Sequence, residues 1–339
     1  MKEEYIRKLL YEIPEGADYA IDASELEQED ISSTRVRQLE ELNMRKERLL
    51  SATFEQSKKV VSKKILTEEG AQVGVLSSMK LSQRFSGLVI LLLFIMSYGV
   101  GVYLPESLLT STEKIRYIST STAQSIVTIG TIFRIPLLAL MYCSIVMVII
   151  NVFPKKNYAH QLLYGTITLL VFLITVFLML FPFTIGLTVG AFGWIGFLLQ
   201  LLVCVYLWKT LVISNVEQLK KQLYKGEPAN KDWGESLMAF IKKYGGVLLL
   251  LAIVNRWTFN FGEAIKTRPD IFSFLYGWAF LLVAALMIFT TGMTLKNFVA
   301  AFYFFKYQKE YRQFFKISNE QWYGKWRGKM IDKKKQKEK

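Results

Sequence analysis

The chain has 339 residues, 52% of them hydrophobic and 14% aromatic, with a formal net charge of +14. This composition fits a polytopic membrane protein with hydrophilic ends, and two cysteines without CxxC spacing exclude a disulfide framework or a thiol metal site. The positive charge flanks apolar stretches, so anionic lipid headgroups, not nucleic acid, are the expected partner.

Residues 1–84 read as a polar extension. Ile6, Leu9, Leu10 and Ile13 outline a short amphipathic helix that stops before Pro14. An acidic loop follows over Glu15–Asp30; residues 1–30 hold ten acidic against three basic residues. Apolar positions from Val36 to Ile65, in steps of three, four and seven, predict a second helix over about Thr34–Leu66. Its stripe is expected to pack on the protein itself or on a partner. The N-terminus is charged and lacks the apolar core of a cleavable signal.

Six apolar runs come next: Phe85–Leu104, Pro136–Phe153, Leu162–Phe183, Ile185–Trp208, Tyr244–Phe261 and Ile271–Met293. Runs of about 20 residues match a hydrocarbon core of roughly 30 Å at 1.5 Å per helical residue. The expected fold is therefore all-α, with six transmembrane helices over residues 85–293. Lysines and arginines fall on alternate sides of these runs, which places both termini in the cytoplasm of a plasma membrane. A Lys- and Ile/Phe-rich chain with few cysteines fits a bacterial one.

Arg134 interrupts an apolar stretch running from Ile126 to Phe153. It either snorkels at the outer interface or lies deeper, where it would hold an anionic group. Arg256 is the second such candidate, beside Trp257, which is expected to anchor its loop at the interface. Gly186, Gly190 and Gly193 are spaced four and three apart, a smooth stripe for close helix packing. Pro182, between two phenylalanines, is expected to make the turn that pairs runs three and four. The segment 294–339 carries thirteen Lys/Arg against four acidic residues. Its aromatic stretch Thr294–Phe315 predicts an interfacial helix, with Trp322 and Trp326 as membrane-interface anchors, followed by a solvated basic tail.

No catalytic motif, cofactor-binding fingerprint or metal-ligand cluster is visible. The single histidine, His160, cannot supply one. The expected function is a transport-associated, permease-like membrane subunit that works with a separate cytoplasmic ATPase or another membrane protein. A non-transporting scaffold for envelope assembly, secretion or signalling is the alternative.

Overall fold

Every regular element among the described residues is helical, and what each helix buries decides where it ends. A computed structural model describes residues 48–66, 74–110, 120–226 and 276–337, with Lys242 and Gly246 as isolated helical positions. These belong to one compact unit, Arg48–Lys339. The readings for residues 6–13, 15–30 and 34–47, for nearly all of the run Tyr244–Phe261, and for Arg256 and Trp257 lie outside the described residues.

Four helical stretches are long and apolar enough to cross a membrane: Leu81–Leu108, Thr120–Val152, Tyr158–Tyr224 and Ala279–Lys306. The first combines α3 (Leu81–Ser86), a 3-10 turn, α4 (Ile90–Tyr98), a π turn (Gly99–Tyr103) and α5 (Leu104–Thr110). The second is α6 (Thr120–Val152), and the third is α7 (Tyr158–Leu207) continued by a π turn into α8 (Ser214–Tyr224). The last is α9 (Ala279–Lys306). Their outward faces carry Leu92, Ile95, Met96, Ile135, Tyr142, Leu202, Val205, Leu282 and Leu286, all exposed. A face of that composition is stable in hydrocarbon and unstable in water.

The third stretch would be about 100 Å long if straight. It is folded at Gly193, where φ is 70° and ψ is 177°. That backbone state is open essentially to glycine alone. Beyond it the chain reverses. Ala159 and Leu162 from the start of α7 share one apolar cluster with Leu219 and Leu223 of α8. The turn expected at Pro182 is thus displaced to Gly193. Pro182 stays inside the helix, where its missing N–H takes the usual backbone bond from the Leu178 carbonyl. Two residues on, Thr184 Oγ1 donates to the Leu180 and Phe181 carbonyls.

The chain also departs from expectation at both ends of the bundle. A continuous helix to Leu66 is not formed over 48–66. In its place are α1 (Phe54–Ser57), opened by a Thr53–Gln56 capping box, and a 3-10 turn at Lys63–Leu66. Tyrosines satisfy this irregular backbone. Tyr303 Oη donates to the Leu49 carbonyl (2.6 Å) and accepts from Ala52 N–H (3.0 Å). Tyr307 Oη donates to the Ala52 carbonyl, and Tyr158 Oη to the Ile65 carbonyl. After Gly74–Ser77 (α2) the chain enters the first apolar helix.

At the other end α9 runs past Met293 to Lys306, so the last apolar run and the start of segment 294–339 are one helix. Then α10 (Gln308–Phe314), α11 (Asn319–Tyr323) and α12 (Lys325–Lys337) fold back. Tyr303, Phe304, Tyr311 and Trp322 are all buried together with Val60, Val61 and Leu223. The aromatic stretch expected along a membrane surface forms instead a protein core at the tail end of the bundle, the end where residues 48–66 and 307–337 gather.

Candidate functional site

The candidate glycines, Arg134, Trp322 and Trp326 are among the described residues and fall in separate places. Gly186 and Gly190 face α6: a Cβ on Gly186 would stand 2.5 Å from Ile126 Cα, and one on Gly190 2.5 Å from Thr122 Cα. Both sites admit only glycine at this helix separation. Gly193 belongs to the turn and not to the stripe. Further down, Ser144 and Thr175 pair through their hydroxyls at 2.6 Å. On the other side of α7, Thr188 Oγ1 and Gln200 Nε2, from the two arms, both donate to the Gly277 carbonyl at 3.0 and 2.8 Å. These bonds satisfy buried polar groups between helices.

Arg134 lies within α6, fourteen positions beyond Thr120, the first described helical residue after 119. It is half-exposed and ion-paired with Glu106 of α5. The anionic partner that its position called for is therefore supplied by the chain. Glu106 sits just past Leu104, where the first apolar run was expected to close, and within the first helical stretch. It was legible as the only carboxylate between Phe85 and Leu104's next turn, but its distance from Arg134 in sequence hid the pairing.

Trp322 and Trp326 part company. Trp326 is 87% exposed and free to meet an interface, whereas Trp322 is 3% exposed. Trp322 packs against Phe304 and under the Arg312 guanidinium, 5.4 Å from its ring. It cannot anchor in headgroups, because the fold has already enclosed it.

Sequence reading missed the cavity at the tail end. It has a volume of about 890 Å³ and lies between the start of the first membrane helix and the α11–α12 segment. Arg84, Lys80, Lys325 and Arg327 line it, with Ser77, Ser82, Gln83 and Tyr158; Glu320 is the carboxylate on its wall. Arg84 is 4% exposed, and its Nε and Nη1 have no hydrogen-bond partner among the described residues. Lys155 lies close by. Its ammonium donates to the Ile150 carbonyl at 2.8 Å and sits over the Tyr164 ring. Burial first, and then the charge of Arg84, push the Lys155 pKa below its ordinary value. The signal in the sequence was only Lys80 and Arg84 before the first run, which read as topology charges.

His160 is structural in placement: Asn157 caps α7 by accepting from the His160 N–H, and the imidazole Nδ1 lies 2.8 Å from the same oxygen. Asn157 Nδ2 also donates to Gln308, which ties α7 to α10. Among the described residues no three His, Cys, Asp or Glu side chains stand close enough to hold a metal ion. Comparison with protein-family models, curated proteins and solved structures finds no match to this chain.

Proposed function

We propose that the chain is the membrane subunit of a transport assembly that works with a separate cytoplasmic partner, an ATPase being the expected kind. The observation that carries this reading is helical continuity between the membrane and the tail-end core. Both arms of the folded third stretch, and α9, pass from apolar membrane faces into that core without a linker. A force applied to the core therefore reaches the membrane helices through rigid rods. One of these rods carries a π turn at Trp208–Ile213, and a second π turn, Gly99–Tyr103, lies in the first helical stretch; π turns recur at functional sites. On this reading each arm of the third stretch is a separate crossing. With the other three helices and the run Tyr244–Phe261, that makes six spans, with both termini and the tail-end core in the cytoplasm of a plasma membrane.

The close packing of the interior favours the second reading, a scaffold that carries no substrate. Among the described residues the helices pack closely at Gly186, Gly190 and Gly130, and the Ser144 and Thr175 hydroxyls pair between α6 and α7. Gentle purification of the tagged full chain separates the two. Recovery of a bound ATPase whose turnover falls when exposed Lys221 is changed to Glu supports the transport subunit. Recovery of assembly factors with no ATPase, and unchanged transport in a strain lacking the chain, rejects it.

A further inference from the structure

We infer that the tail-end cavity is a binding site for the phosphate of an anionic phospholipid, held by Arg84 as the buried contact and by Lys80, Lys325 and Arg327 around it. This inference is independent of the transport reading and concerns a different part of the molecule.

The argument starts from an electrostatic imbalance. A guanidinium that is almost wholly enclosed, with two of its nitrogens unpaired among the described residues, is costly unless an anion meets it. The chain had carboxylates available to place there, as it placed Glu106 on Arg134. Around Arg84 it placed more positive charge. Lys155 is near enough for the two cations to repel, and three further cations line the same walls. Among the described residues Glu320 is the one acidic side chain lining the cavity, and it is exposed on α11. Arg84, Lys325 and Arg327 against one carboxylate leave a hollow that is complementary to a negatively charged phosphate. The planar guanidinium fits two phosphate oxygens at once.

The surroundings distinguish a lipid from a soluble phosphate. Arg84 lies in the first turn of Leu81–Leu108, a helical stretch long and apolar enough to cross a membrane, and the end of such a stretch meets the headgroup layer. Its neighbours on that helix, Leu81 and Phe85, are 53% and 52% exposed, and Trp326 at the other wall is 87% exposed. Apolar side chains displayed beside a cationic hollow suit acyl chains and glycerol next to a phosphate. The exposed Ser82 hydroxyl supplies a donor for the phosphate or its ester oxygens. The same helix pair forms the wall from both ends of the sequence, so a bound lipid also ties α3 to α11 and α12.

The test uses the full chain purified in neutral detergent, stripped of lipid and titrated with phosphatidylglycerol or phosphatidylcholine, with bound lipid counted by native mass spectrometry. Phosphatidylglycerol should bind more tightly than phosphatidylcholine, and Arg84→Gln should weaken it by about tenfold or more, since a hydrogen bond to a charged group is lost. Lys333→Gln with Lys334→Gln, exposed tail residues outside the cavity, should leave binding unchanged. If Arg84→Gln does not fold, Lys325→Gln with Arg327→Gln, both exposed on the cavity wall, should weaken phosphatidylglycerol by about threefold or more. Equal binding of the two lipids, or unchanged binding by folded cavity variants, overturns the proposal. Displacement of phosphatidylglycerol by glycerol 3-phosphate or inorganic phosphate at matching concentration also overturns it, because the ligand is then a soluble phosphate.

Discussion

A cation beside a membrane span can be answered in two ways, and this chain uses both. Arg134 meets Glu106 from its own fold, while Arg84 is enclosed without an anion among the described residues. The difference decides which residue carries stability and which carries binding. Removing one partner of the Arg134–Glu106 pair leaves a charge facing the apolar belt, so Glu106→Gln or Arg134→Gln alone should lower Tm in lipid nanodiscs. The double variant should lose less than the sum, with a coupling of about 1 kcal/mol or more. Additive losses would show that the pair is a solvated contact of little worth. Arg134 was legible as an anomaly in an apolar run, but its partner was not. Pairing between two helices depends on how they lie side by side, which residue types do not encode locally.

At the scale of elements, glycine chemistry was legible and its assignment was not. Spacing of four between Gly186 and Gly190 marks one face of a helix, and α6 does pack there. The next glycine continues the arithmetic of the stripe yet serves a left-handed turn at φ 70°. Periodicity cannot tell a small side chain used for contact from one used for backbone freedom. Gly193→Ala should therefore destabilise by about 1–3 kcal/mol through strain at that φ. Gly190→Ala should cost a similar amount, about 1–3 kcal/mol, by pushing α6 away from α7. Gly99→Ala, whose Cβ would meet nothing within 4 Å, is the control and should stay within about 0.5 kcal/mol. Thermal unfolding of the three variants in one lipid mixture measures all of this. A Gly193→Ala protein as stable as Gly99→Ala would mean that the reversal lies elsewhere.

For the whole molecule the governing fact is which solvent each surface meets. Cys143 is exposed on α6 beside Tyr142, and Cys204 is buried between α7 and α9. In sealed bilayers a membrane-soluble maleimide should modify Cys143 and spare Cys204, while a charged thiol reagent should modify neither. Mass spectrometry of the intact protein reads the outcome. Modification of Cys143 by the charged reagent would place that face on a water-filled path, which a packed scaffold does not have. The tail-end core meets water on one side and the membrane helices on the other. Its tyrosines reflect this: burial raises the Tyr311 pKa to about 12, and its hydroxyl pairs with Ser57 at 2.6 Å.

Sequence alone determined the solvent, because runs of apolar residues of membrane length have no stable soluble alternative, and the helical class follows from the need to satisfy every backbone group inside lipid. It also marked the few polar residues worth asking about. Tertiary structure decided where the third stretch reverses, which aromatic residues are enclosed and which cation goes unanswered. Those outcomes turn on a single backbone dihedral at Gly193, on tyrosines reaching across the chain to irregular backbone, and on two distant segments closing around Arg84. Each is a contact between residues far apart in sequence, chosen by packing once the helices are side by side.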